Sequence, residues 1–181
     1  MAIAMNLSSL ISIPATVTFL EMHDQPQEKH SVLPPDAEFK LISKPVSVDV
    51  YRNYYYGVGE KFNWLDRMVM PDDELYQKIN ADATDIYIMF INGDAAGFAE
   101  FVKEKEFTEI LYFGLFPDYV GKGLGSAFLH WVIQHAWSYQ PKWIQLNTCS
   151  LDHPGALPVY KRAGFIPVRT EIQQRKMIKR D

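Results

Sequence analysis

A glycine-rich turn in the second half of the chain places the strongest constraint on what this sequence can fold into. Residues 116–126 read FPDYVGKGLGS and join an apolar run at 109–116 to a helical repeat of apolar residues at 121–137. Glycine lets the backbone approach a ligand closely, and the first amides of a helix have no partner within the helix. Because the helix dipole favours negative charge at that end, the turn predicts an anion site, above all for phosphate, with Lys122 adding positive charge at its edge.

Two common nucleotide motifs do not fit this turn. Counted from Gly121, the pattern G-x-G-x-x-G has Ser126 in its sixth place, and the strands before it read as an antiparallel meander. No Gly-Lys-Ser or Gly-Lys-Thr, which a P-loop requires, occurs in the chain. The remaining alternative to a phosphate loop is a glycine-rich connection that serves only close packing.

The segments around the turn alternate between strand and helix patterns. Apolar runs at 85–91 and 95–102 flank the hairpin signal Asn92-Gly93-Asp94, and a charged turn at 103–106 leads to the run at 109–116. Beyond the glycine turn, the patterns predict a helix at 121–137, a strand at 143–149, a short helix at 154–163 and a last strand region. A meander followed by strand–helix–strand predicts an α+β (mixed α/β) fold with helices covering the faces of the sheet.

The first fifty residues carry weaker signals. Residues 16–22, TVTFLEM, are β-branched and aromatic and predict a strand, preceded by a flexible or loosely attached tail at 1–15. Prolines recur in 23–50, and no regular element is predicted there. The whole chain, 1–181, is predicted to form one domain.

Aromatic residues are dense between this region and the meander. The segment 51–68 predicts a helix broken at Gly57 and Gly59, and Pro71 followed by three acidic residues predicts a second helix running to about Ala81. Such aromatic clusters most often pack a helix onto a sheet; the alternative is the wall of a ligand pocket.

The glycine turn resembles the pyrophosphate loop of the GNAT superfamily of acyl-CoA-dependent N-acetyltransferases. That loop follows a bulged strand and has the pattern Arg/Gln-x-x-Gly-x-Gly/Ala. Residues 117–119 followed by Gly123 and Gly125 match it, whereas Val120 stands where Arg or Gln is usual. The departure removes one side-chain contact and leaves the backbone cradle in place.

A second segment carries the same resemblance. Ala156, Tyr160 and Gly164-Phe165 are similar to the Ala-x-x-x-Tyr-x-x-x-Gly-Phe ending of the family, and His153 stands where Asn is usual. The resemblance covers about 85–166 and implies a central, mostly antiparallel twisted sheet with a bulged central strand and helices on both faces.

The resemblance also implies acetyl-CoA as co-substrate and a route for its binding. The bulged strand would separate from its neighbour near 114–116, its free backbone groups would pair with the pantetheine arm, and the Leu115 N–H would hold the thioester oxyanion. The implied cofactor contacts are Leu115, Phe116, Val120, Gly121, Lys122, Gly123, Leu124, Gly125, Ser126 and His153.

Two side chains are candidates for proton transfer. Tyr160 occupies the position from which the family's tyrosine protonates the departing thiolate; the alternative is a core aromatic residue. Glu109 opens the strand that leads to the bulge, where some family members have a general base; the alternative is an exposed acid beside Lys105, with Glu100 a weaker second candidate.

Other reactive residues form no complete site in the sequence. A Cys149–His153 nucleophile pair is the weaker alternative to His153 as a pantetheine contact or loop-orienting residue. The spacing of His23, His30, His130 and His135 predicts no metal site. One cysteine excludes an internal disulfide.

Composition limits the partners. A net charge of −4 argues against a dedicated nucleic-acid binder, and no apolar run is long enough to span a membrane. Together with these limits, the resemblance implies a cytoplasmic N-acetyltransferase that acts on a primary amine of a small molecule or peptide, without a metal, with a homodimer allowed. The alternatives are a non-catalytic CoA-binding sensor module and a transferase that uses a longer acyl-CoA.

Overall fold

The residues described in the computed structural model, 10–27 and 33–179, contain seven strands in one sheet. The strands are β1 (Leu10–Met22), β2 (Ala37–Leu41), β3 (Thr84–Ile91), β4 (Asp94–Lys103), β5 (Phe107–Leu115), β6 (Trp143–Cys149) and β7 (Ile166–Ile178). The helices are α1 (Val48–Gly59), α2 (Asp66–Val69), α3 (Asp72–Ile79), α4 (Leu124–Ser138) and α5 (Ala156–Arg162), with 3₁₀ turns at Glu60–Phe62 and Pro117–Tyr119. The strand order is β2-β3-β4-β5-β6-β1-β7.

The pairing confirms the predicted fold class. The β5–β6 pair is parallel, and the other neighbouring strands are antiparallel. The predicted meander is β3–β4–β5, and its hairpin turn has positive φ at Asn92 (52°) and Gly93 (85°). Two consecutive residues with positive φ match the twist of the flanking strands, which explains the Asn-Gly signal.

Helices cover both faces of the sheet. On one face, α4 buries Phe128, Val132 and Ala136 completely, in line with their spacing of four residues. On the other face, α1 buries Tyr51 and α3 packs beside it. Within the described ranges no helix is long and apolar enough to cross a membrane, and the longest, α4, has 15 residues.

The central strands diverge at the middle of the sheet. β5 pairs with β6 only over Phe107–Glu109. On its other side, Glu100 of β4 lies opposite Tyr112 and Phe101 lies opposite Ile110, so Leu111 is an extra residue. The bulge therefore lies at Leu111, and β5 no longer pairs with β6 at 114–115, within the stretch where the resemblance implies the separation. The pairing register with β4 sets the position of the bulge, and a single sequence does not show that register.

The N-terminal region differs most from the prediction. β1 begins at Leu10, so residues 10–15, assigned to a tail, pair with β7; residues 1–9 lie outside the described residues, as does His30. β2, which pairs with β3, lies in the stretch where no element was predicted. Both strands depend on partners more than 40 residues away in the chain, and local patterns do not reveal such pairing.

Candidate active site

A cavity of about 570 Å³ opens where β5 and β6 diverge. Its wall is formed by β5, the end of β6, the turn before α4, α5 with the loop before it, the end of α1 with the segment that follows, and β7 at Arg175 and Lys176. Of the predicted site residues, the wall includes Leu115, Val120, Gly121, Gly123, Gly125, Ser126, His153 and Tyr160. Glu109, Phe116, Lys122 and Leu124 are not on it.

The glycine turn presents bare backbone to the cavity. Gly121 and Gly123 have φ values of 81° and 78°, a conformation that residues with a side chain rarely adopt. A Cβ atom built at Gly121, Gly123 or Gly125 meets no heavy atom within 4 Å, so open space lies beside the turn. α4 begins directly after Gly123, and no side chain caps it. The first amides of α4 are therefore available to an anion of the size of a phosphate.

Lys122 and Phe116, two of the predicted cofactor contacts, pack against other residues of the chain and not on the cavity wall. The Lys122 Nζ lies 5.1 Å from the centre of the Tyr119 ring. The Phe116 ring packs on α1, where a Cβ atom at Gly57 would lie 2.6 Å from it. Gly57 is therefore required for this close approach.

Every second backbone amide of β5 faces the space left where β6 has diverged. The Phe116 N–H donates to the Ala96 carbonyl at 3.0 Å, on the β4 side. Because successive residues of a strand direct their N–H and C=O groups to opposite sides, the Leu115 amide faces away from β4. On that side, the pairing with β6 has already ended at Glu109.

Tyr160 enters the cavity from α5. Burial, and then the carboxylate of Asp152, raise the pKa of the Tyr160 hydroxyl well above its ordinary value. The hydroxyl is therefore protonated at neutral pH and can donate a proton to a group that develops negative charge.

Asp152 connects three parts of the cavity wall. Its Oδ1 accepts a hydrogen bond from Trp64 Nε1 at 3.1 Å, and its Oδ2 accepts one from Thr148 Oγ1 at 2.9 Å and one from the Cys149 N–H at 2.8 Å. These bonds join the α1–α2 segment to the end of β6 and the loop before α5. No local pattern singles out Asp152, because its link to Trp64 spans 88 residues.

His153 has a structural role in the same loop. Its Nδ1 accepts a hydrogen bond from the Gly155 N–H at 3.0 Å. Its ring lies edge-on to Phe62, with 6.0 Å between the ring centres. These contacts orient the loop that precedes α5. The thiol of Cys149 is also on the cavity wall, and burial followed by the charge of Asp152 raises its pKa, which disfavours a thiolate nucleophile.

Aromatic rings form another part of the cavity wall. Tyr112 on β5 contacts Tyr55 edge-on at 4.8 Å between ring centres and Trp64 at 5.2 Å. Val58 and Phe62 extend this wall. Part of the predicted aromatic cluster thus lines the cavity, whereas Tyr51 is a core residue.

A buried ion pair lies behind the aromatic wall. Glu100 is 1% exposed and accepts hydrogen bonds from Tyr51 Oη at 2.5 Å and Arg67 Nη2 at 3.2 Å. The Arg67 guanidinium lies 5.6 Å from the centre of the Tyr112 ring. Glu100 is not on the cavity wall, and its two oxygens already bind Tyr51 and Arg67, so the geometry does not favour it as a base.

Glu109 lies at the closed end of the gap. It is opposite Gln145 in the last parallel pair of β5 and β6. Burial raises the pKa of its carboxyl group, and this effect outweighs the hydrogen bond with Gln145. Because Glu109 is not on the cavity wall, a bridging water would be needed for its carboxylate to act on a group inside the cavity.

Within the described part of the chain, no group of three or more His, Cys, Asp and Glu residues could hold a metal ion.

Comparisons with known proteins find similar sequences and similar folds. A model of the acetyltransferase (GNAT) family matches residues 50–165. An uncharacterized N-acetyltransferase of Methanocaldococcus jannaschii is 25% identical over 122 residues, which are 64% of this chain and 50% of that protein.

Two solved structures have a similar fold. A GCN5-related N-acetyltransferase from Sphaerobacter thermophilus has a TM-score of 0.59 at 16% identity, covering 94% of this chain and 53% of that one. A tandem GNAT protein from the clavulanic acid biosynthesis pathway has a TM-score of 0.60 at 14% identity, covering 91% and 53%. This chain spans about half the length of these relatives. Because the family model covers well over half of the 181 residues, the protein belongs to the GNAT acetyltransferase family.

Proposed function

We propose that the protein is an N-acetyltransferase that moves the acetyl group of acetyl-CoA directly to a primary amine of a small molecule or peptide. The observation that carries the proposal is one cavity bordered by the uncapped glycine turn, the separated edge of β5 and the hydroxyl of Tyr160. An anion cradle, a free strand edge and a proton donor are what an acyl-CoA thioester needs for binding and reaction.

The cofactor would lie along the wall between α4 and β5. The amides at the start of α4 would bind the pyrophosphate, with Gly123 and Gly125 allowing its close approach. The pantetheine arm would pair with β5 where β6 has diverged, and the Leu115 N–H would donate to the thioester oxygen. A donor aimed at the developing oxyanion stabilises the transition state more than the ground state.

The acceptor would enter from the aromatic wall. Its amine must lose a proton before it attacks the thioester carbon, and Glu109 would accept that proton through water. As the tetrahedral intermediate breaks down, the C–S bond cleaves and Tyr160 would give its proton to the departing sulfur. Both substrates are bound together, so no covalent acyl-enzyme is needed.

Replacing Gly123 by valine tests the cradle. Valine has a β-branched side chain and resists the φ of 78° found at this position, so the turn would have to change shape. We expect acetyl-CoA to bind about tenfold more weakly, or worse, measured by calorimetry on folded protein. Lys122→Ala is the matched control on the same turn, and a modest loss is expected because Lys122 is not on the cavity wall. Wild-type affinity in Gly123→Val would contradict the assignment.

Replacing Glu109 by glutamine tests the base. An ionised carboxylate is required, and its pKa is raised, so the wild-type rate should fall as the pH drops through a range above that of ordinary glutamate. In Glu109→Gln this acidic limb should disappear and kcat should fall by about 10²-fold, with acetyl-CoA affinity unchanged. The pH–rate profile of kcat is the measurement.

Stability provides the control for this variant. A carboxyl group with a raised pKa binds its proton more tightly in the folded state, so wild-type unfolding free energy falls as pH rises through that range. Glu109→Gln lacks this loss and should be at least as stable at neutral pH. An unchanged pH–rate profile in the folded variant would return the base role to water or to the acceptor itself.

Thiol release from acetyl-CoA, measured against a panel of amines, amino acids and peptides, tests the function as a whole. Turnover with one acceptor class supports the proposal. Tight binding of acetyl-CoA without turnover on any amine would instead indicate a CoA-binding sensor, and preference for succinyl- or fatty acyl-CoA would indicate a longer acyl group.

A further inference from the structure

The last strand, β7, is an edge of the described sheet. It is 13 residues long and pairs with β1 on one side. Ile166, Val168 and Ile172 on this strand are 63%, 50% and 74% exposed. A long edge with unpaired backbone groups and exposed apolar side chains is a template for another strand.

The backbone direction of β7 can be read from its neighbour. The Ser150 N–H donates to the Thr16 carbonyl at 2.9 Å, so Thr16 directs its backbone groups toward β6. Val17 therefore directs its groups toward β7, where it lies opposite Glu171. By the same alternation, the residues of β7 that direct N–H and C=O outward are Thr170, Ile172, Gln174 and Lys176.

The charges of β7 are complementary to those of a second copy. With a two-fold axis through Gln173, antiparallel pairing places Glu171 of each copy opposite Arg175 of the other, and the two Ile172 side chains become diagonal neighbours. An axis through Ile172 would instead oppose Arg169 to Arg175, a like-charge pair that is destabilising. Within the described residues, the buried Arg175 Nε–H has no acceptor. Glu171 of the second copy would supply one.

We propose that two copies of this chain associate through antiparallel pairing of β7 about Gln173. The pairing would also reach the candidate active site, because Arg175 is on the cavity wall and its Nη1 lies 2.9 Å from Asp66 Oδ2. Each copy thus adds a carboxylate beside the wall of the other. The association itself does not depend on the proposed transferase activity.

The mass of the protein in solution tests the association. Sedimentation equilibrium should give twice the mass of one chain, with dissociation on dilution. In Ile172→Pro, the outward N–H is lost while the ladder to β1 is kept, so the dissociation constant should rise at least about tenfold. A monomer at all concentrations, or a dimer that Ile172→Pro leaves unchanged, would overturn the proposal.

Engineered cysteines test the register. In a Cys149→Ser background, Gln173→Cys should form a disulfide across the axis under mild oxidation, because Cα atoms at a non-hydrogen-bonded pair lie about 4.5 Å apart. Thr170→Cys is the matched control on the same edge: its two copies would lie roughly 20 Å apart and should not cross-link. Cross-linking through Thr170 and not Gln173 would overturn the proposed register.

Discussion

Tyr160→Phe is expected to lower kcat by about 10²-fold while acetyl-CoA affinity stays near that of the wild type. The substitution keeps the aromatic ring and its packing against Phe165, whose ring centre lies 6.2 Å away, and removes only the proton donor. Because a thiolate is already a tolerable leaving group, the acid should supply a factor near the lower end of the usual range. Single-turnover measurement of thiol release would separate this step from product release.

The pH dependence of Tyr160 gives a second readout. Burial and Asp152 raise the pKa of its hydroxyl, so the wild-type rate should show no alkaline limb from Tyr160 near the ordinary tyrosine pKa. Tyr76→Phe is the matched control, since Tyr76 is 46% exposed on α3 and is not on the cavity wall. Wild-type turnover by folded Tyr160→Phe, with chemistry rate-limiting, would show that Tyr160 is only a packing residue.

Glu100→Gln is expected to lower the free energy of unfolding by about 3 kcal/mol. Glutamine keeps the shape of the side chain but leaves the guanidinium of Arg67, which is 6% exposed, without a buried counter-ion. The Nε of Arg67 already lacks a hydrogen-bond acceptor among the described residues, so the positive charge of Arg67 would be poorly compensated in the variant. Urea unfolding measures the loss.

A double substitution separates the loss of the pair from other damage. In Glu100→Gln with Arg67→Met, no buried charge remains, so most of the lost stability should return. Additive losses in the double variant would contradict the view that the unpaired charge causes the instability. The pair also affects the site, because Arg67 packs behind the Tyr112 ring that forms the cavity wall.

The parts of the fold that were predicted correctly depend on local signals. The hairpin at Asn92-Gly93 needs two residues with positive φ, and the turn before α4 needs glycines. Both requirements are therefore visible as residue types at neighbouring positions in the sequence. The helix pattern of α4 shows in the spacing of Phe128, Val132 and Ala136. The position of the bulge at Leu111 was not predicted and β2 was missed, because both depend on pairing with other strands.

The features of the candidate site also fall into two groups, those encoded by local residue patterns and those that depend on contacts between distant residues. The sequence by itself determined the fold class, the family, the glycine turn and the helix that carries Tyr160, because each is encoded by residue types at fixed short spacings. Only the tertiary structure decided that Trp64 and Tyr112 form one wall, that Asp152 joins this wall to β6, and that Glu109 lies beyond the cavity wall. The reason is physical: these contacts join residues far apart in the chain, and strand register together with side-chain packing, which no local pattern records, decides whether they meet.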